Sequence, residues 1–180
     1  MDIIICSKKE AEDHFASDPN IRAAISIVDP PQGGLEVKRP YGLKNIPNTL
    51  KLTFDDVGSN HFAWDIAPSE EDIQRIINFA TRLKAENITG KLLVHCHAGI
   101  SRSSAAAFIC KCVWEGPGKE AEILQYIYKI RPIAMPNDLM VAIGDKLLSR
   151  NTQMIDALRE KPDGEGLLFP NLLRIARGDE

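Results

Sequence analysis

Long apolar runs are missing from this 180-residue chain. No stretch approaches the about 20 residues that a membrane-crossing helix needs. Ile3-Ile4-Ile5 is too short for a signal-peptide core and follows Asp2, so a cytoplasmic chain with no membrane partner is expected. Cysteine is scarce. Cys6, Cys96, Cys110 and Cys112 form no paired secretory framework, which excludes a disulfide scaffold and fits a reducing compartment. An excess of one charge is missing too. Twenty-five acidic residues face 22 basic ones, a net charge of -3, which argues against nucleic acid or an anionic membrane as the main partner. With no internal repeat and no low-complexity tract, the length fits one domain with a real core.

What is present is an alternation of strand and helix patterns, the mark of an α/β fold with a largely parallel central sheet flanked by helices. Asp2 to Cys6 reads as a strand, and Lys8 to Phe15 as a helix opened by the capping box of Ser7 and Glu10. Ala23 to Val28 reads as a buried strand that Asp29-Pro30-Pro31 breaks. Leu35 to Thr49 has no period but carries Lys38, Arg39, Tyr41 and Lys44, either a substrate-facing basic loop or a solvated one. Leu50 to Phe54 alternates as a strand, and Asp55 to Pro68 is a long loop. Ser69 with Asp72 opens a helix whose apolar face is Ile73, Ile76, Ile77, Ala80 and Leu83. Lys91 to His95 is the central strand, and helices follow from Ser103, from Glu120 and near Asn137. Met154, Ile155 and Leu158 extend the last helix or form another. Residues 1–160 are expected to be the domain and 161–180 an appendage.

Nine residues carry the chemistry: His95-Cys96-His97-Ala98-Gly99-Ile100-Ser101-Arg102-Ser103. A strand, a tight loop and a helix N-terminus gather backbone N–H groups around one anion, here those of His97 to Arg102. The helix dipole and Arg102 both favour a thiolate at Cys96. The arginine fork grips two phosphate oxygens at once. Gly99 permits the tight turn and a close approach to the ligand. The expected chemistry is phosphoryl transfer to cysteine. His-Cys-His also raises a zinc reading, but adjacent residues at a strand end point opposite ways and no second ligand pair follows, so no metal or cofactor is expected.

The string HCHAGISRS resembles the H-C-x5-R-[S/T] signature of the cysteine-dependent protein tyrosine phosphatases, most closely the dual-specificity subgroup. Arg131-Pro132-Ile133-Ala134-Met135-Pro136-Asn137 resembles the R-P-x-A-x-P-N segment of the same subgroup, and the likeness spans roughly residues 20 to 150. The resemblance implies a phosphatase-like α/β fold and a cysteinyl-phosphate mechanism. Phosphotyrosine is the implied substrate, with phosphoserine or phosphothreonine as further ones, on a protein or a small phosphomonoester. It implies that Ser103 helps the sulfur leave and that Asn137 ties the loop backbone, although Asn137 has an equally good local reason to stand there as a helix cap. His95 ends a buried strand, where its ring either orients the loop and tunes the thiol or is a satisfied core histidine. An acid stands just after the third strand in that subgroup, which favours Asp56, with Asp55 and the loop residue Asp65 as rivals. The loop from Asp56 to Pro68 is longer than the subgroup's pattern, and its insert Gly58 to Trp64 is aromatic, with Phe62 and Trp64 stacking either on a substrate ring or into the core. Two other readings stay open: an inactive phospho-binding module and a rhodanese-like sulfurtransferase.

Overall fold

The computed structural model describes residues 1–31, 37–58, 65–159, 175 and 177. Four strands, β1 (Asp2–Ser7), β2 (Ile21–Val28), β3 (Asn48–Thr53) and β4 (Lys91–Cys96), form one sheet in the order β1-β4-β2-β3. Every strand pairing is parallel, as the alternating pattern predicts. β4 therefore lies inside the sheet, and its Leu92, Leu93 and Val94 are fully buried. Helix α1 (Lys8–Ser17) covers one face around Cys6, Ala11, Ile21 and Leu93. Helices α2 (Glu70–Ala85) and α3 (Arg102–Glu115) cover the other. Behind α3 stand α4 (Glu120–Ile130), α5 (Asp138–Leu147) and α6 (Gln153–Arg159). Helix α3 is buried from Arg102 through Cys110, which explains its apolar character on all sides.

Local signals place the ends of the elements. Both expected capping boxes form: Ser7 with Glu10 before α1, and Ser69 with Asp72 before α2. β3 starts at Asn48, earlier than its alternation suggests, because the parallel ladder to β2 recruits Asn48 and Thr49 opposite Ala23 and Ala24. A short 3-10 turn, Leu43–Asn45, precedes it. Met154 and Ile155 belong to a separate helix. Ser149, Asn151 and Thr152 take left-handed backbone conformations after α5, and the Asp145 carboxylate then accepts the Thr152 and Met154 N–H groups, both at 2.8 Å.

The basic loop has a structural task that its charges did not reveal. Arg39 staples the ends of β2 and β3: Nη1 donates to Ser26 O at 2.7 Å and Nη2 to Thr53 Oγ1 at 2.9 Å. Lys44 sits over the Tyr41 ring. Of the aromatic insert only Gly58 is described, so the expectation for Phe62 and Trp64 lies outside the described residues. So does most of 161–180, although Ile175 packs against the main core. Among the described residues, no helix is long and apolar enough to cross a membrane.

Candidate active site

A parallel sheet sends the C-terminal ends of all its strands to one edge, and the residues after each strand converge there. Ser7 ends β1, Asp29 follows β2, Asp55 and Asp56 follow β3, and Cys96 ends β4. Ser7 lies opposite Cys96 in the ladder.

The segment from Cys96 to Arg102 is turned inside out. Its carbonyls face outward, and each one from His97 to Ser101 is taken by a donor outside the turn. His97 O accepts Lys8 N–H at 3.2 Å. Arg131 takes Ala98 O through Nη2 at 3.5 Å and Gly99 O through Nε at 3.0 Å. Ile100 O accepts Met135 N–H at 3.0 Å and the Ser104 hydroxyl. Ser101 O accepts Ala105 N–H at 3.0 Å and Asn137 N–H at 3.3 Å. Carbonyls so engaged leave the loop N–H groups for the concave side, where an anion would sit. Gly99 has φ of +72°, and a Cβ there would collide with the backbone of Cys6 and Ser7. Only glycine lets the turn pack this closely on β1.

Cys96 is buried at this site. Its Sγ accepts Gly99 N–H at 3.3 Å and lies 3.3 Å from Ser103 Oγ. Burial pushes the Cys6 and Cys110 thiols up to about 12, and pushes Cys112 up as well. Cys6 belongs to the α1-side cluster and Cys96 to the larger core on the opposite face.

Arg102 is 2% exposed, and a buried guanidinium needs partners. Nη1 donates to Phe54 O at 2.6 Å, and Nη2 pairs with Asp29 Oδ1 at 2.7 Å. Nε lies 3.7 Å from Asp56 Oδ2 and makes no hydrogen bond among the described residues. Nε is thus a buried donor that faces a carboxylate without bonding it. Asp29 was missed in the sequence, where it reads as the start of a strand-breaking turn. An acid just past a buried parallel strand is the signal that could have marked it. Its Oδ2 is also 3.8 Å from His97 Nδ1, and the His97 side chain is exposed.

The three candidate acids separate by geometry. Asp56 comes to the loop: Oδ1 accepts the Ser101 hydroxyl at 2.6 Å and Asn137 Nδ2–H at 3.1 Å. Asp55 instead clasps the base of its own loop. Its Oδ2 accepts Ile66 N–H at 2.8 Å, and its N–H donates to Ile66 O at 2.8 Å. Asp65 is half-buried beside that clasp. Asn137 serves in more ways than expected. Its Oδ1 caps α5 through Met140 N–H at 3.0 Å, while Nδ2 holds Asp56 and Val57 O. The amide side chain therefore ties the acid loop, and only the Asn137 main chain ties the signature loop.

His95 is fully buried, and its Nδ1 lies 3.5 Å from Cys96 O, a long contact. Burial pulls its pKa down to about 4, with Arg39 and Lys8 adding to the effect, so the ring is neutral. Its contact is with the cysteine's carbonyl rather than its sulfur. Among the described residues no three His, Cys, Asp or Glu side chains gather as a metal site.

Residues 57–133 match the protein-tyrosine phosphatase family. No curated protein matches the chain. Solved structures do match along most of its length. Human DUSP28 is 17% identical, with a TM-score of 0.54 over 82% of this chain and 91% of that one. The Yvh1 phosphatase domain from Chaetomium thermophilum is 20% identical, with a TM-score of 0.54 over 84% and 93%. PTPMT1, solved in complex with PI(5)P, is 16% identical, with a TM-score of 0.56 over 82% and 90%. With this parallel sheet, this inverted loop and that family match, the chain resembles the cysteine-dependent protein tyrosine phosphatases of the dual-specificity type.

Proposed function

We propose that the protein hydrolyses phosphotyrosine monoesters, and those of phosphoserine and phosphothreonine, through a cysteinyl-phosphate on Cys96. The observation that carries this is the inverted loop: outward carbonyls, a buried sulfur beside the Gly99 N–H, and a buried arginine whose Nε makes no hydrogen bond among the described residues and lies near an aspartate. The phosphate oxygens would bind the N–H groups of His97 to Arg102 and the guanidinium of Arg102. Sγ attacks phosphorus, the bond from phosphorus to the leaving oxygen breaks, and Asp56 gives that oxygen its proton. Water then attacks phosphorus, Asp56 takes back a proton, and the S–P bond breaks. The Ser103 hydroxyl, 3.3 Å from Sγ, hydrogen-bonds the departing thiolate. Asp29 holds Arg102 in place, and Asn137 holds Asp56.

Phosphorylated protein is favoured over lipid phosphate because His97-Ala98-Gly99-Ile100-Ser101 contains no lysine. PTPMT1 has been solved with PI(5)P, so a phosphoinositide belongs in the assay beside a phosphopeptide. We propose residues 1–160 as the catalytic domain. The test is turnover of an aryl phosphate by the full chain and by Cys96→Ser. The wild type should turn over and the serine variant should lose at least about a thousandfold while keeping phosphate binding. Phosphate binding without turnover in the wild type would favour an inactive phospho-binding module. Activity on thiosulfate instead would favour a sulfurtransferase.

A further inference from the structure

One side chain, Arg131, reaches two of the outward carbonyls: Gly99 O at 3.0 Å and, by a long contact of 3.5 Å, Ala98 O. That guanidinium is itself braced from α1. Nη1 donates to Glu10 Oε1 at 3.1 Å and Nη2 to Glu10 Oε2 at 3.0 Å, a two-pronged pair. Glu10 is fixed as well, because Oε2 accepts Ser7 N–H at 2.6 Å in the capping box. The Arg131 bond, followed by the Ser7 N–H, pulls the Glu10 carboxyl down to about 2, so the pair is charged throughout the neutral range. Neither residue hydrogen-bonds the sulfur or Arg102 among the described residues.

The peptide units show what this brace controls. Ala98 O shares a peptide with Gly99 N–H, the group that donates to Cys96 Sγ. Gly99 O shares one with Ile100 N–H. Glycine crosses between backbone regions at little steric cost, so these two peptides are the easiest in the loop to turn over. A turned peptide would aim a carbonyl oxygen at the phosphate and remove one N–H from it. We propose that Arg131, braced by Glu10, is a positioning residue that keeps the peptides on either side of Gly99 facing the anion. This rests on the reading of the loop as a phosphate site. A lysine could not replace it, since a single ammonium cannot reproduce the fork that spans Gly99 O, Ala98 O and both Glu10 oxygens.

The experiment compares Arg131→Met, Arg131→Lys and Glu10→Gln in the full chain. Glutamine also serves in a capping box, so Glu10→Gln removes the charge while sparing the α1 cap. Phosphate binding is read without turnover, by how well inorganic phosphate protects Cys96 from iodoacetate. Arg131→Met should weaken protection about tenfold or more and raise KM to match, with both limbs of the pH–rate profile in place. Arg131→Lys should recover only part of the loss. Glu10→Gln should cost about two- to fivefold, the scale of a half-exposed ion pair, and should add nothing on top of Arg131→Met. A folded Arg131→Met with wild-type protection would overturn the proposal. If that variant does not fold, wild-type protection in Glu10→Gln overturns it equally. A wild type that neither binds phosphate nor turns over removes the phosphate-site reading itself. A wild type that does both, beside unaffected variants, removes only the positioning role.

Discussion

The phosphate loop and the loop that carries Asp56 are held in opposite ways. From His97 to Ser101 every carbonyl is pinned, mostly by main-chain donors and by Arg131, so the proposed anion site would need little rearrangement to take a ligand. The Asp56 loop is pinned by side chains: Asn137 and Ser101 on Asp56, and Asp55 clasping Ile66 at its base. The difference teaches where each kind of error would act. Under the proposed mechanism, damage to the first loop would remove the electrostatic stabilisation needed by every substrate. Under the proposed mechanism, damage to the second would remove a proton donor, and only some substrates need one.

The sharpest break of this contrast is Arg102→Ala. It should lower kcat/KM by about 10³- to 10⁵-fold for all aryl phosphates alike, the scale of an arginine that stabilises phosphoryl transfer. Initial rates across a leaving-group series check it, and a loss confined to poor leaving groups would mean Arg102 is not the clamp. Asp56→Asn should show the opposite signature. Phenyl phosphate should slow by about a hundredfold or more, an activated nitrophenyl ester much less, and the alkaline limb of the profile should vanish. Asp55→Asn and Asp65→Asn should do neither. If Asp65→Asn reproduces the leaving-group-dependent defect, the acid belongs there instead.

Asn137→Ala tests the side-chain tether. It strips a helix cap and two donors from a buried position, so a stability loss of about 1–3 kcal/mol is expected in denaturant unfolding. A partial version of the Asp56→Asn leaving-group pattern should accompany it. An Asn137→Ala protein that loses activity evenly across the series would show that the amide serves the phosphate loop instead.

The smallest effect concerns His95, beneath the phosphate loop. Its pKa is about 4 in the fold and 6.5 in an ordinary setting. A group depressed on folding contributes stability that is present above the unfolded value and lost as pH falls through the folded one. The His95 contribution should therefore be intact above about pH 6.5 and fade toward about pH 4. Melting temperatures of the wild type and His95→Gln across that window should converge as pH falls. Parallel curves would contradict a buried, neutral imidazole.

The contrast also explains what was legible in the sequence. Cys96, Gly99, Arg102 and Ser103 lie on one short segment with a strand before it and a helix after it, so their chemistry could be read locally. The capping boxes at Ser7 and Ser69 were readable for the same reason, since each spans one turn. Asp56 was favoured among three acids by its place after the third strand, while its contacts with Ser101 and Asn137 could not be read before the fold was seen. Asp29, Arg131 and Glu10 reach the site across long separations in the chain. The arginine and glutamate of the brace are 121 positions apart, and no local pattern couples them. Arg39 misled because a charged loop reads as solvated or substrate-facing until the strand ends it joins are seen. The separate helix α6 was hidden by left-handed backbone at Ser149, Asn151 and Thr152, none of them glycine.

The central claim is that phosphate passes through sulfur on Cys96, and acid-quenched turnover tests it most directly. Wild-type and Asp56→Asn protein are mixed with an activated aryl phosphate, stopped in acid during steady state, and digested for peptide mass spectrometry. The account predicts one phosphoryl group on the peptide containing Cys96, none on those containing Cys6, Cys110 or Cys112, and none anywhere in Cys96→Ser. Steady turnover with no phosphoryl group on Cys96, or with one on another residue, would contradict it.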